Sequence, residues 1–256
     1  MKIAVCGKGG VGKTTFAALL AMEMASRGEK VYAIDADVNP SLGEALGLSF
    51  EEAQGITPIS EMAELIEERT GAKVGEYGSY FKSNPRVKDI PEKFSRSIGN
   101  VNFLMMGGMK GAEAGCACAE NAMLRALVTH LVLKEKETVI LDMVAGTEHM
   151  GRGTAKGVDV AFLVVEPGMR SIKTAKAMAR MSKDLGIRQI YIVANKISSQ
   201  EDEIYIKDQM AGFDFVGFFP KSDEAIAADK GGKTLYEISA TMRNFISQVV
   251  DKIVAA

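Results

Sequence analysis

The chain has 256 residues, 47% of them hydrophobic, and a formal net charge of −2, which suits one large α/β domain and excludes a global basic field that would recruit nucleic acid or anionic lipid. The apolar stretch at 16–25 is short and broken by Glu23, so it is no membrane span, and the chain opens on a core-type strand rather than a secretion signal. Three cysteines without an export signal fit reduced thiols and a cytoplasmic location, not a disulfide frame.

Residues 2–6 form an apolar run that predicts a strand, with Cys6 inside it as core. It leads into Gly7-Lys8-Gly9-Gly10-Val11-Gly12-Lys13-Thr14-Thr15, which satisfies G-x-x-x-x-G-K-[ST], and a helix is expected over 13–27. Glycines at these positions let backbone N–H groups curl inward around an anion, and the helix that follows offers its own free N–H groups. Lys13 is then placed for the β- and γ-phosphates and the Thr14 hydroxyl for Mg²⁺. This pattern predicts binding of a nucleoside triphosphate, read as ATP with ADP as product.

A second strand is expected at 30–35, ending in Asp35-Ala36-Asp37. Two carboxylates at that spacing face one side, and near phosphates they would serve the Mg²⁺ shell (Asp35) and orient an attacking water (Asp37). A helix is expected over 59–69, and 71–99, with Pro85, Pro91 and scattered charges, reads as an irregular surface insertion. A strand at 102–106 precedes Gly115-Cys116-Ala117-Cys118-Ala119, where two thiols at i and i+2 point the same way from an extended backbone. Two thiolates fall short of the four ligands of a closed site.

A helix over 120–133 leads to the strand 138–142, which ends in Asp142, a carboxylate placed to hold Mg²⁺ beside the phosphate loop. Gly146 follows, with an N–H in reach of a γ-phosphate. Further strands are expected at 158–165, 189–194 and 214–218, and helices at 172–185, 201–210 and near 236–253. Asn195-Lys196 closes one of these strands, and the Asn195 amide suits the edge of a purine base. Alternating strands and helices predict a doubly wound, mostly parallel sheet in a single domain spanning 1–256.

A second lysine inside the phosphate loop, Lys8, resembles the deviant Walker A motif of the MinD/ParA/nitrogenase-iron-protein class. The resemblance covers nearly the whole chain. It implies a nucleotide-sandwich homodimer in which Lys8 reaches the partner's phosphates, a cation supplied in trans as an arginine finger is. Within that class, the run Met105 to Met109 before Cys116-Ala-Cys118, and Asp142-Met-Val-Ala-Gly-Thr-Glu-His-Met-Gly-Arg-Gly153, are similar to the CooC group of nickel-maturation ATPases. The resemblance implies an ATP-hydrolysing metallochaperone serving carbon monoxide dehydrogenase or acetyl-CoA synthase. A two-fold dimer doubles the Cys116/Cys118 pair into four ligands for one Ni²⁺ or Zn²⁺ per dimer, promoted by both ATP and metal. Tetrahedral sulfur suits zinc as well as nickel, so nickel comes from the resemblance alone. His149 is read as a switch or structural residue.

Two other readings stand beside this one. An iron–sulfur reductase or carrier would share a cluster across the dimer, although such relatives space their cysteines widely. A positioning ATPase of the MinD/ParA type would need a basic or membrane-binding face, and the final helix lacks a cationic amphipathic anchor; neither nucleic acid nor membrane is expected as a partner.

Overall fold

The computed structural model describes residues 1–37, 39–71, 82, 85–107, 122–123, 126–127, 129, 136–146, 155 and 157–255. Its first half runs β1 (Lys2–Gly7), α1 (Lys13–Ser26), β2 (Lys30–Asp35), α2 (Leu42–Ala45), α3 (Phe50–Gln54), a 3₁₀ turn at Ile59–Glu61, α4 (Ala63–Thr70), α5 (Ile90–Phe94), β3 (Arg96–Ile98) and β4 (Val101–Met105). The second half runs β5 (Glu137–Asp142), β6 (Val160–Val165), α6 (Met169–Asp184), β7 (Gln189–Ile197), α7 (Gln200–Gln209), β8 (Asp214–Pro220), α8 (Asp223–Gly231), α9 (Leu235–Ile238) and α10 (Ala240–Val254).

These strands make one eight-stranded sheet in the order β3-β4-β2-β5-β1-β6-β7-β8. All neighbours are parallel except β3, which turns back antiparallel on β4. The inner strands read as unbroken apolar runs because both faces are covered: every residue of β6, Val160 to Val165, is buried. The two-residue period sorts them into two cores. Ile3, Val5, Phe162 and Val164 pack with α1 and α10, whereas Ala4, Cys6, Leu163 and Val165 pack with α6 and with Met123, Ala126 and Leu127. Phe16 of α1 meets Phe162 edge-on at 5.1 Å and Phe219 at 5.8 Å, which locks the helix after the glycine loop onto the sheet. Removing a buried ring such as Phe162 costs about 3–5 kcal/mol.

The structure departs from the sequence expectations in several places. Part of the 71–99 segment is ordered core rather than irregular surface: Val87, Ile90 and Pro91 are buried, and β3 adds an edge strand within it. Three residues ahead of Gly99 are too few to show a strand period. The helix expected over 59–69 breaks at Met62, whose ψ of 77° is not helical. The final helix splits at Ser239, which ends α9 and caps α10 by accepting from the Met242 N–H. Of the helix expected over 120–133, residues 122, 123, 126, 127 and 129 are helical. The short α2, α3, α5 and α8 were not foreseen.

Candidate functional site

The carboxyl ends of β1, β2 and β5 lie side by side, where a doubly wound sheet places its ligand crevice. Asp35 and Asp142 are register partners at the ends of β2 and β5, and Val5 is the register partner of Asp142 on β1. The glycine loop therefore rises directly beside both carboxylates.

Sterics dictate the loop. A Cβ at Gly7 would stand 2.6 Å from the Val164 carbonyl oxygen, and one at Gly12 would collide with Asn195 Nδ2. Gly10 and Gly12 take φ of 78° and 95°, left-handed values that other residues rarely adopt. Gly9 sits 3.7 Å, measured from an ideal Cβ, from Ala145, and Val11 is fully buried in the core. Gly12 is also the N-cap of α1, which has no side-chain cap and no acidic residue in its first turn. The first N–H groups of α1 are thus left for an anion.

Lys13 is buried, and its Nζ donates to the Lys8 carbonyl oxygen at 3.5 Å. Thr14 Oγ1 donates to Asp142 Oδ2 at 2.6 Å, while Asp142 Oδ1 is buried without a hydrogen-bond partner. Burial pushes the Asp142 carboxyl up to about 7; the Asp35 charge adds to this, and the Thr14 hydrogen bond and Lys13 oppose it. Asp35 is fully buried and held by backbone: Oδ1 accepts from the Asp37 N–H at 3.0 Å, and Oδ2 from those of Ser41 at 2.9 Å and Leu42 at 2.8 Å. Burial raises Asp35 as well, against those three hydrogen bonds. With three N–H donors, Asp35 is the better home for the negative charge, and Asp142, with one hydroxyl donor, keeps its proton to higher pH than an ordinary carboxyl.

The sequence assigned Mg²⁺ to Thr14, Asp35 and Asp142. Asp142 Oδ1 is a buried oxygen lacking a partner beside the Thr14 hydroxyl, the donor set a hard cation takes. Asp35 anchors the turn into α2 through three backbone N–H groups, and its Oδ1, which accepts only one of them, keeps a lone pair. Asp37 is half-buried, with its Oδ1 accepting from the Asn39 N–H at 3.0 Å, and it is not bonded to Thr14 or Asp142. Gly146 N–H donates to the Gly7 carbonyl oxygen at 3.4 Å.

Asn195 reaches the loop from the end of β7, and its Nδ2 donates to the Val11 carbonyl oxygen at 2.8 Å. It borders a cavity of about 770 Å³ lined by Gly12, Thr15, Phe16, Ser198, Pro220 and Lys221 among others, large enough for a nucleoside. Thr15 also lines a second cavity of about 600 Å³, bordered by Thr14, Ser41, Phe50 and Tyr236.

Lys8 is half-buried, with Nζ 3.8 Å from Oε1 of Glu166, the residue after β6. The sequence reading passed over Glu166, although a carboxylate at a strand's carboxyl end was the signal that picked out Asp142. It also missed the walls from Pro220 and Lys221, which no motif marks. Cys116, Cys118 and His149 lie outside the described residues. Among the described residues the free cysteine is Cys6, whose buried thiol is pushed up to about 12 and is inert, and no group of three or more His, Cys, Asp and Glu is gathered as a metal site. No helix among the described residues is long and apolar enough to cross a membrane.

Comparison with known proteins places this geometry. The family described as the CobQ/CobB/MinD/ParA nucleotide binding domain matches residues 2–235. The carbon monoxide dehydrogenase accessory protein CooC of Rhodospirillum rubrum is 43% identical, covering 95% of this chain and 92% of that protein. An uncharacterized ATP-binding protein of Methanocaldococcus jannaschii is also 43% identical, covering 92% of this chain and 91% of its own length. Among solved structures, the septum site-determining protein MinD of Pyrococcus horikoshii, complexed with Mg-ADP, superposes with a TM-score of 0.66 at 19% identity, covering 99% of this chain and 96% of that one.

Proposed function

The chain belongs to the CobQ/CobB/MinD/ParA nucleotide-binding family and is a P-loop ATPase, and from that premise we propose that it is an ATP-driven, dimerising metallochaperone that delivers nickel to carbon monoxide dehydrogenase or acetyl-CoA synthase. The observation that carries this reading is the end-to-end similarity, at 43% identity, to a carbon monoxide dehydrogenase accessory protein. The Cys116-Ala117-Cys118 pair supplies the chemistry, since two thiolates per protomer need a second protomer to enclose an ion.

In this reading the inward N–H groups of Gly7 to Thr15 and the start of α1 bind the phosphates, with Lys13 beside them. Thr14, Asp35 and Asp142 would hold Mg²⁺, directly or through its water shell, and the ion would neutralise charge on the β- and γ-phosphates. Asp37 orients the attacking water, and Asn195 reads the base. Lys8 reaches the phosphates of the partner protomer, so the competent site forms only in the dimer. Closing that dimer brings two Cys116/Cys118 pairs together, and four converging thiolates favour a divalent cation between them. Metal and ATP then each strengthen the binding of the other. The protein acts in the cytoplasm, where thiols stay reduced.

The test is an anaerobic titration of the reduced protein with Ni²⁺ and with Zn²⁺, reading stoichiometry and oligomeric state together. One metal per dimer is expected. Cys116→Ser and Cys118→Ser should each lose metal affinity steeply while ATP still binds, because each change removes two of four ligands. One metal per monomer, or undiminished binding by the double serine variant, sinks the shared site. Iron and sulfide in the anaerobically isolated protein would instead favour the cluster-carrying alternative.

A further inference from the structure

Glu166 lies just past β6, the strand paired with β1, and so faces the phosphate loop from the side opposite Asp142. Its backbone N–H donates to Ser171 Oγ at 3.1 Å, which ties the residue to the first turn of α6. One carboxylate oxygen is 3.8 Å from Lys8 Nζ and the other 3.0 Å from Lys196 Nζ. Lys196 in turn donates to the Gly10 carbonyl oxygen at 2.5 Å. Its φ of 59° is a left-handed value that a lysine seldom adopts, and such outliers concentrate at working sites. One carboxylate thus gathers both ammonium groups at the rim of a loop built for phosphates.

We propose that Glu166 is a positioning residue for the ATPase reaction: it parks Lys8 over its own protomer's loop in the nucleotide-free monomer, and Lys8 must leave it before dimerisation can proceed. The inference rests on the reading of Lys8 as the cation that reaches the second copy of this chain. The contact is built to be released. Side-chain exposures of 38% for Lys8, 25% for Glu166 and 44% for Lys196 leave the pairs in high dielectric, where each is worth a factor of about 1.5 to 5. Phosphates in the loop compete for the same ammonium groups and repel the carboxylate. Bound nucleotide therefore weakens the hold on Lys8 as it creates the partner's demand for it. Lys13, buried and bonded to the loop's own backbone, is spared this exchange.

The experiment is sedimentation velocity over a protein concentration series with Mg²⁺ and a non-hydrolysable ATP analogue, on the unmodified protein, Glu166→Gln, Glu166→Asp and Lys8→Ala. Glutamine keeps the shape without the charge, and aspartate keeps the charge but is too short to span both lysines. Because Lys8 is released in both protomers the factor enters squared, so both variants should lower the concentration for half-dimerisation by about 2- to 25-fold, and the gain should shrink as salt screens the pair. Damage to the fold would move that midpoint the other way. If Lys8→Ala fails to dimerise while neither Glu166 variant lowers the midpoint, the parking role is wrong and the trans role of Lys8 stands. If Lys8→Ala dimerises as the unmodified protein does, both fall. A raised midpoint in both Glu166 variants, with folding intact by nucleotide affinity, overturns the proposal by placing Glu166 on the dimer's own contact surface.

Discussion

Thr14 Oγ1 donates a 2.6 Å hydrogen bond to Asp142 Oδ2, joining the start of α1 to the end of β5 across 128 positions of sequence. The bond leaves Oδ1 of the same carboxylate buried and unpaired. A single hydroxyl is poor compensation for a charge in that place, which is why the proton stays on Asp142 at higher pH than on an ordinary carboxyl. Proton and metal ion are then rivals for one oxygen.

That rivalry sets a pH dependence in the nucleotide-free protein. Asp142 is raised from an ordinary 3.8 to about 7 on folding, so the folded state binds more protons than the unfolded state between those values. The stability tied to the neutral form is complete below the unfolded value and is lost as pH rises through 7. Asp142→Asn, which fixes the neutral form, should raise Tm at pH 8 and should do so much less at pH 5. Calorimetry without nucleotide or Mg²⁺ checks this. A Tm difference that does not change with pH means that Asp142 is ionised throughout.

The loop lysines should fail differently. Lys13→Ala removes a charge placed on the bound phosphates, and ATP affinity itself should collapse. Lys8→Ala should bind nucleotide nearly normally yet lose ATP-driven dimerisation and hydrolysis. Fluorescent-nucleotide binding and sizing on the two variants separate the roles, and identical behaviour refutes the assignment of Lys8.

Asp37 and Asp142 are expected to divide hydrolysis between them. Asp142→Ala should weaken the Mg²⁺-dependent part of ATP binding. Asp37→Ala should keep Mg·ATP and slow turnover by about 10² or more, the scale of losing a positioned group. Steady-state turnover alongside Mg²⁺-dependent binding gives both numbers. Normal turnover without Asp37 shifts the task to Asp35, whose Oδ1 accepts only one N–H, or to the backbone.

Asn195 gives one of its two N–H groups to the Val11 carbonyl, and its oxygen is placed to accept from a base. Adenine offers an exocyclic amine and guanine an acceptor at the same edge. ATP should bind more tightly than GTP, and Asn195→Ala should cost ATP about 1–2 kcal/mol and flatten the preference. Equal loss for both nucleotides would mean that the residue only braces the loop.

The phosphate loop and its two aspartates were legible because each sits where a strand ends, and strand ends are marked by apolar runs. Asp142 closes Thr138-Val-Ile-Leu, and Asp35 closes a run of the same kind. What the pattern could not carry was how their oxygens are spent. The N–H groups of Ser41 and Leu42 turn back on Asp35 six and seven residues later, through a turn with no hydrophobic period. β3 was hidden for the same reason, being three residues long with an exposed face. Glu166 and Lys196 each stood in plain view as charged residues at strand ends. Their pairing is a matter of β6 and β7 being neighbours, a fact of sheet order and not of spacing along the chain.

The three N–H groups gathered on Asp35 also make the turn into α2 a strain gauge for the charge next door. Ionising Asp142, or seating a cation on it, changes the field on the neighbouring Asp35 carboxylate, which accepts from the backbone N–H groups of Asp37, Ser41 and Leu42. A change at the cation site would thereby be felt by the main chain at Asp37, Ser41 and Leu42. The amide protons at those three positions would register it, through their exchange rates and chemical shifts, with no label added to the protein.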